Sequence, residues 1–317
     1  MHHDTSSDSS SASGTSNPPG RRALVLGGGG STGNAWLLGV IAGLAHAGLT
    51  VTDADLIIGT SAGATAAAQL TGADPAELYE ASLTPPPARR PQPSAGDAGR
   101  RGLAGSTINH LERTDRIISE AHDADDMRRR MAAAALELPG SADPEVRSRW
   151  RATVASRLPS HEWPEQQVYL TAVDALNGEP MVFTRESGVL LADAVAASCA
   201  SGFAYPVGDR QYIDGGYRRN ENADLAAGCT RVLVLSPFGG RTRTPLAWGQ
   251  HLGAQVDELR DAGSAVEVIS PEPEDEHLFG ANAMNLALRP DAARAGFRQG
   301  QSLAGGLASF WGASAAG

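Results

Sequence analysis

The sequence contains no lysine. All 26 of its basic side chains are arginine, which excludes a Schiff base, a phosphate-loop lysine and a Ser–Lys dyad. Cysteine is nearly absent. Cys199 and Cys229 are the only two in 317 residues, too few for a disulfide framework and with no C-x-x-C to hold zinc. A reducing compartment is therefore expected, the cytoplasm, with at most peripheral contact at a membrane surface. No uninterrupted apolar run approaches the ~20 residues that a membrane span needs. The N-terminus lacks the basic-then-apolar plan of a signal peptide. Positive charge is also scarce. The net charge of −10 and a pI near 5.3 argue against a nucleic-acid partner and against broad attraction to anionic lipid. No group of His, Cys and carboxylates has metal-ligand spacing. His2 and His3 are too few to make a site, and Glu272 to Glu276 lacks the glycine turn of a calcium loop. No metal and no cofactor are expected.

Glycine, by contrast, is abundant, at 37 residues, and it clusters where short apolar runs end. Residues 23–27 and 55–58 read as buried strands. Asn34 to His46 and Ala62 to Leu70 read as the helices that follow them. This strand–helix alternation predicts a parallel α/β layer. Residues 1–20 are Ser-rich with almost no apolar side chains and are expected to be disordered. Residues 21–317 are read as one domain. From Thr84 to Gly105 prolines alternate with Arg89, Arg90, Arg100 and Arg101. Residues 107–158 look helical, so about 84–163 is expected to be a helical cap inserted into the sheet domain. Leu103, Trp150 and Trp163 either line an acyl pocket or pack that cap. The arginines read more readily as a solvated loop than as a phosphate site. Strands are expected again at 168–173, 181–183, 211–213, 231–235 and 265–269. A hairpin turn falls at Asn177-Gly178. Helices are expected over 189–200, roughly 246–262, and 291–311.

Three motifs carry the chemistry. Gly28-Gly29-Gly30-Ser31-Thr32-Gly33 follows the first strand. Gly59-Thr60-Ser61-Ala62-Gly63 follows the second. Asp214-Gly215-Gly216 follows Gln211-Tyr212-Ile213. A cluster of backbone N–H groups, a serine in a strand-to-helix elbow and a carboxylate make up an acyl hydrolase. G-x-S-x-G occurs twice, at Ser31 and at Ser61. Ser61 is favoured as nucleophile, because Thr60 and Ala62 restrict an elbow better than glycine neighbours do. The glycine loop has three readings: oxyanion donors, a dinucleotide cradle through Gly28, Gly30 and Gly33, or a plain turn. The dinucleotide reading needs an acid at the end of the second strand. Asp53 and Asp55 precede that strand instead. Asp214 is the candidate base. A triad completed by His251 or His277 is disfavoured, since one lies within an expected helix and the other within an acidic surface stretch. An ordinary Asp, with pKa about 3.9, is a weak base, so a Ser–Asp dyad requires a water-poor pocket to raise it.

In this order the three motifs resemble those of the patatin-like phospholipase family. Leu24 to Leu44, Ala197 to Val207 and Asn220 resemble it too. The resemblance covers most of residues 22–236 and is poorest over 84–163. It implies a three-layer α/β/α fold with a mostly parallel central sheet and an inserted helical cap. It implies a Ser61–Asp214 dyad and an oxyanion hole from the N–H groups of Gly28, Gly29 and Gly30, with Gly33, Gly59, Gly63, Gly215 and Gly216 as supporting glycines. The implied reaction is metal-free hydrolysis of a lipid ester or phospholipid through an acyl-serine, of phospholipase A or carboxylesterase type. A nucleotide-binding protein and a catalytically silent lipid-binding relative are the competing readings. Two departures stand out. Thr32 occupies a place where the family carries Arg or Lys, which bears on the order of the loop and on phospholipid preference. The stretch Ser198 to Phe203 lacks an expected proline.

Overall fold

The chain runs through an eight-stranded mixed sheet in the order β5-β6-β3-β2-β1-β7-β8, with β4 also paired to β3. The computed structural model describes residues 20–84 and 111–312. The expected N-terminal tail and the proline–arginine stretch with Leu103 therefore lie outside the described residues. The strands are β1 (Arg22–Leu26), β2 (Leu56–Gly59), β3 (Gln167–Asp174), β4 (Pro180–Phe183), β5 (Tyr205–Val207), β6 (Arg210–Asp214), β7 (Arg231–Leu235) and β8 (Ala265–Ile269). β3, β2, β1, β7 and β8 are mutually parallel. β4 and β6 run antiparallel to β3, and β5 antiparallel to β6.

Strand alternation builds two cores. Leu24 and Leu26 of β1 and Leu233 and Leu235 of β7 face one side. Ala23, Val25, Val232 and Val234 face the other, as the period of two requires. The first side is covered by α1 (Gly30–His46), α2 (Ala62–Leu70), α8 (Leu191–Ser198) and α10 (Arg289–Trp311). The second is covered by α9 (Leu252–Asp261) and the short turn Ala223–Ala226. The result is the expected α/β/α sandwich around a mostly parallel sheet.

Between β2 and β3 lie α3 (Pro75–Leu83), a helical stretch over 111–120 that we call α4, α5 (Ala124–Leu136), α6 (Pro139–Ala142) and α7 (Pro144–Ala155). α5 buries Met127 and Met131 against Val173 and Ile213 of the antiparallel end of the sheet. α7 packs on α8 and sends Val154 into the main core. These helices thus embrace β3 and β6 from both faces. Trp150 and Trp163 pack against the main core, and their indole N–H groups donate to the carbonyls of Ala196 and Val189. Among the described residues no helix is long and apolar enough to cross a membrane.

α1 and α10 touch backbone to backbone. A Cβ on Gly39 or Gly43 would lie 2.2 Å from the carbonyl oxygen of Ala293 or Phe297. Reciprocally, one on Gly296 or Gly300 would lie 2.3 or 2.2 Å from that of Trp36 or Val40. Four glycines at i, i+4 spacing let the two helices approach until no side chain separates them.

Candidate active site

β2 and β6 run toward each other along β3. β2 pairs with Gln167 to Leu170 and β6 with Ala172 to Asp174, in opposite directions. Their C-terminal ends therefore meet, and the residues that leave them are brought together. Ser61 Oγ donates a hydrogen bond to Asp214 Oδ2 at 2.7 Å.

Ser61 caps α2 with φ 54° and ψ −114°. Only two described non-glycine residues have positive φ, Ser61 and Asn222. The strain at Ser61 is held by its surroundings. Its N–H donates to Ser198 Oγ at 2.9 Å. Its carbonyl accepts the Cys199 thiol at 3.1 Å. Burial pushes that thiol up to about 12, and the nearby Asp214 charge adds to the effect, so Cys199 stays protonated as a donor. Cys199 and Cys229 are both free thiols.

Asp214 is 7% exposed. Burial raises its carboxyl from 3.8 to about 6, against the opposing effect of hydrogen bonds from the Gly216 N–H at 2.8 Å and from Ser61. No histidine among the described residues is hydrogen-bonded to Ser61 or Asp214. His251 is not inside a helix as expected. Gly249, at φ 64°, closes a short turn over Leu246–Trp248, and His251 sits at the N-cap of α9 with its Nδ1 buried and unpartnered. His277 is exposed, with Nδ1 against the Glu274 carbonyl.

The glycine loop lies beside the elbow. The Thr60 N–H donates to the Leu26 carbonyl at 3.1 Å. A Cβ on Gly63 would sit 1.9 Å from that same oxygen, and one on Gly59 would sit 2.7 Å from Gly63 O. Helix α1 begins at Gly30, earlier than expected, so Ser31 lies in its first turn, with Gly29 as cap. The three glycines are not equivalent. The Gly28 N–H is engaged by the Asn220 carbonyl at 3.0 Å, and the Asn220 amide donates back to the Gly28 carbonyl at 3.2 Å. Gly28 is therefore a clamped hinge of the loop rather than a free donor. The N–H groups of Gly29 and Gly30 have no partner among the described residues, as befits the positive end of α1. Ala62 N–H, next to the nucleophile, is likewise uncommitted. A Cβ on Gly33 would lie 3.0 Å from Pro237, and Gly215 is pressed against Thr171, where a Cβ would meet Oγ1 at 2.2 Å. Gly216 supplies the N–H to Asp214.

Several contributors were not legible in sequence. Asn222, fully buried at φ 53°, donates to Thr60 Oγ1 at 3.0 Å and to the Arg219 carbonyl at 2.6 Å. It ties the elbow to the segment after Asp214. Its signal is the readiness of Asn for left-handed backbone. Glu221 is 1% exposed; its Oε1 accepts from Asn220 Nδ2 at 2.9 Å and Ser236 Oγ at 2.7 Å behind the glycine loop. Burial raises its carboxyl above the ordinary range. Thr32 is fully buried, with its N–H on the Ala283 carbonyl at 3.0 Å. A basic group reaches this turn from elsewhere: Arg289 at the start of α10 donates to the Ser31 carbonyl at 2.7 Å.

A strained serine on a buried carboxylate, beside uncommitted N–H groups at a helix start, is an arrangement able to form and break an acyl-serine. The family profile of the patatin-like phospholipases matches residues 24–227, and the chain belongs to that family, which places it among lipid acyl hydrolases at family level. Two solved structures resemble the fold. One is VipD from Legionella pneumophila, at 14% identity and TM-score 0.41, with 91% of this chain and 67% of that chain covered. The other is the type III effector protein ExoU, at 16% identity and TM-score 0.31, with 90% of this chain and 54% of that chain covered. No curated protein is significantly similar in sequence.

Proposed function

We propose that the protein is a serine hydrolase of carboxylic esters in lipids, of phospholipase A or carboxylesterase type, working through a Ser61–Asp214 dyad. The observation that carries this reading is the 2.7 Å hydrogen bond from a serine at φ 54° to a buried aspartate. Asp214 takes the Ser61 proton as Oγ attacks the ester carbonyl carbon. The carbonyl oxygen becomes an oxyanion and is bound by the N–H groups of Gly29 and Gly30, with Ala62 N–H as a further donor. Gly28 holds the loop in place through Asn220. The tetrahedral intermediate collapses, the ester C–O bond breaks, and the leaving alkoxide takes the proton from Asp214. A water then gives its proton to Asp214 and attacks the acyl-serine. The fatty acid leaves as Ser61 regains its proton. A carboxyl near 6 is ionised yet basic enough to serve at neutral pH. The dinucleotide alternative lacks its acid: Asp55 lies before β2, where its carboxylate accepts the Arg22 N–H at 2.7 Å.

A fluorophosphonate probe tests the proposal. Labelling is expected on Ser61 and is expected to vanish in Ser61→Ala together with ester hydrolysis. An adduct on Ser31 would overturn the assignment of both loops. No adduct and no turnover would favour a silent lipid-binding relative.

A further inference from the structure

Glu221 is a buried carboxylate that the reaction proposed above does not use. It is 1% exposed and follows Asn220 directly in the chain. Its Oε1 accepts from Asn220 Nδ2 at 2.9 Å and from Ser236 Oγ at 2.7 Å. Both donors are neutral. A carboxylate taken out of water is costly, but its hydrogen bonds are charge-assisted and stronger than those between neutral groups. A glutamate at this place therefore holds the Asn220 amide more firmly than a neutral acceptor would.

The Asn220 amide is held from two sides. Nδ2 carries two hydrogens, and it donates both to Glu221 Oε1 and to the Gly28 carbonyl, the latter at 3.2 Å. An amide turned end for end would set Oδ1 against a carboxylate and a carbonyl. The two acceptors thus agree on one orientation, and loss of Glu221 leaves only the longer contact to choose it. Oδ1 is wedged between the glycine loop and the turn that carries the base. A Cβ on Gly28 would lie 2.6 Å from it, and one on Gly216 would lie 3.8 Å from it.

What Asn220 holds is a peptide plane. The Gly28 carbonyl and the Gly29 N–H belong to one trans peptide unit and point in opposite directions. With the carbonyl drawn to Asn220, the Gly29 N–H is turned away from it. The preceding unit is pinned as well, since the Gly28 N–H donates to the Asn220 carbonyl at 3.0 Å. Glycine on both sides leaves this plane few steric limits of its own, so its direction depends on the contact with Asn220.

We infer that Glu221 is a positioning residue: through the Asn220 amide and the Gly28 carbonyl it fixes the direction of the Gly29 N–H. The use of that N–H for an oxyanion rests on the hydrolase reading; the relay itself does not.

The test compares the parent chain with Glu221→Met, Glu221→Gln, Asn220→Ala and the double variant Glu221→Met plus Asn220→Ala. Each is assayed for steady-state hydrolysis of p-nitrophenyl butyrate and by amide NMR of isotopically labelled protein. Glu221→Met fills the space without an acceptor. Its kcat is expected to fall about tenfold or more with KM within about twofold, short of the roughly 10²–10³-fold that loss of a whole oxyanion donor costs. Glu221→Gln keeps an oxygen for Asn220 and is expected to restore kcat to within about threefold of the parent. Asn220→Ala is expected to lose at least as much as Glu221→Met. The double variant is expected to lose no more than Asn220→Ala alone, because Glu221 acts through Asn220. The Gly29 amide resonance is expected to move in Glu221→Met and in Asn220→Ala and to stay in place in Glu221→Gln. Losses that multiply in the double variant, a Gln variant as slow as the Met variant, or a Gly29 resonance unmoved in Glu221→Met overturns the inference. If Glu221→Met does not fold, a Gly29 resonance unmoved in Asn220→Ala overturns it, and one that moves there but not in Glu221→Gln supports it. A parent chain with neither turnover nor a fluorophosphonate adduct would sink the hydrolase reading alone, and the Gly29 resonance would then decide the relay.

Discussion

Replacing Asp214 by Asn is expected to remove activity and strengthen the fold at the same time. The carboxyl rises from 3.8 to about 6 because burial strips water from its charged form. At 1.36 kcal/mol per pH unit, keeping it ionised in the folded state costs about 3 kcal/mol. A group whose folded pKa is raised favours folding fully only below its unfolded value. That contribution is lost as pH rises from about 4 through about 6, and above that range the penalty is complete. The carboxamide of Asp214→Asn would keep the size of the side chain and an oxygen for the Gly216 N–H, and its amide hydrogens would face Ser61 Oγ. At pH 8 the variant is therefore expected to gain up to about 3 kcal/mol, roughly 5 °C in Tm for a chain of this size, and at pH 4 almost nothing. Its kcat is expected to fall about 10²–10⁴-fold, the usual share of a general base. Thermal melts at pH 4, 6 and 8, beside kcat/KM on a short-chain ester, measure both. In the parent enzyme kcat/KM is expected to rise through an apparent pKa of about 6 and level off above pH 7. A variant no more stable than the parent at pH 8, or a gain that does not shrink at low pH, would refute the desolvation argument.

Further outcomes are expected. Ser31→Ala should retain most ester hydrolysis, since its hydroxyl contacts Arg289 rather than Asp214; loss of all activity with an unchanged melt would contradict this. His251→Ala and His277→Ala should alter kcat less than about threefold, and a general-base-sized loss of about 10²-fold or more in either would indicate a triad. Excess EDTA should leave the rate unchanged in a short-chain ester assay, because no group of described side chains could hold a metal ion. Gly39→Val should cost several kcal/mol in a denaturant melt, about 3 or more, because its Cβ falls 2.2 Å from a backbone oxygen; a change under about 1 kcal/mol would show that the helices can part.

What was legible in the sequence is whatever short-range pattern controls. The β7 and β8 strands match their expected bounds, as does α2, because each is a brief apolar run flanked by turn residues. Ser61 and Asp214, which motif order singles out, lie within a hydrogen bond of each other. The glycine loop was read only in outline. Three consecutive glycines look alike in a sequence, and only tertiary structure assigns the N–H of Gly28 to Asn220 while leaving those of Gly29 and Gly30 uncommitted. Asn222 and Arg289 escaped notice for the same reason. They act across 162 and 258 residues of chain, a distance over which no local periodicity speaks. His251 was misplaced because a helical pattern of apolar residues continued through Gly249, whose left-handed backbone ends it.

The backbone contact between α1 and α10 also makes the glycine loop depend on a late segment of the chain. α1 is the helix whose first turn shapes the glycine loop, and its glycine face has no cover until residues 293–300 arrive. A nascent chain that already holds Ser61 and Asp214 still lacks the helix that seats against α1, and it lacks Arg289 on Ser31 and Ala283 on Thr32. The segment that carries α10 thus supplies both the cover of the α1 glycine face and two contacts that hold its first turn, so a chain cut short before it is expected to lose the set of the glycine loop.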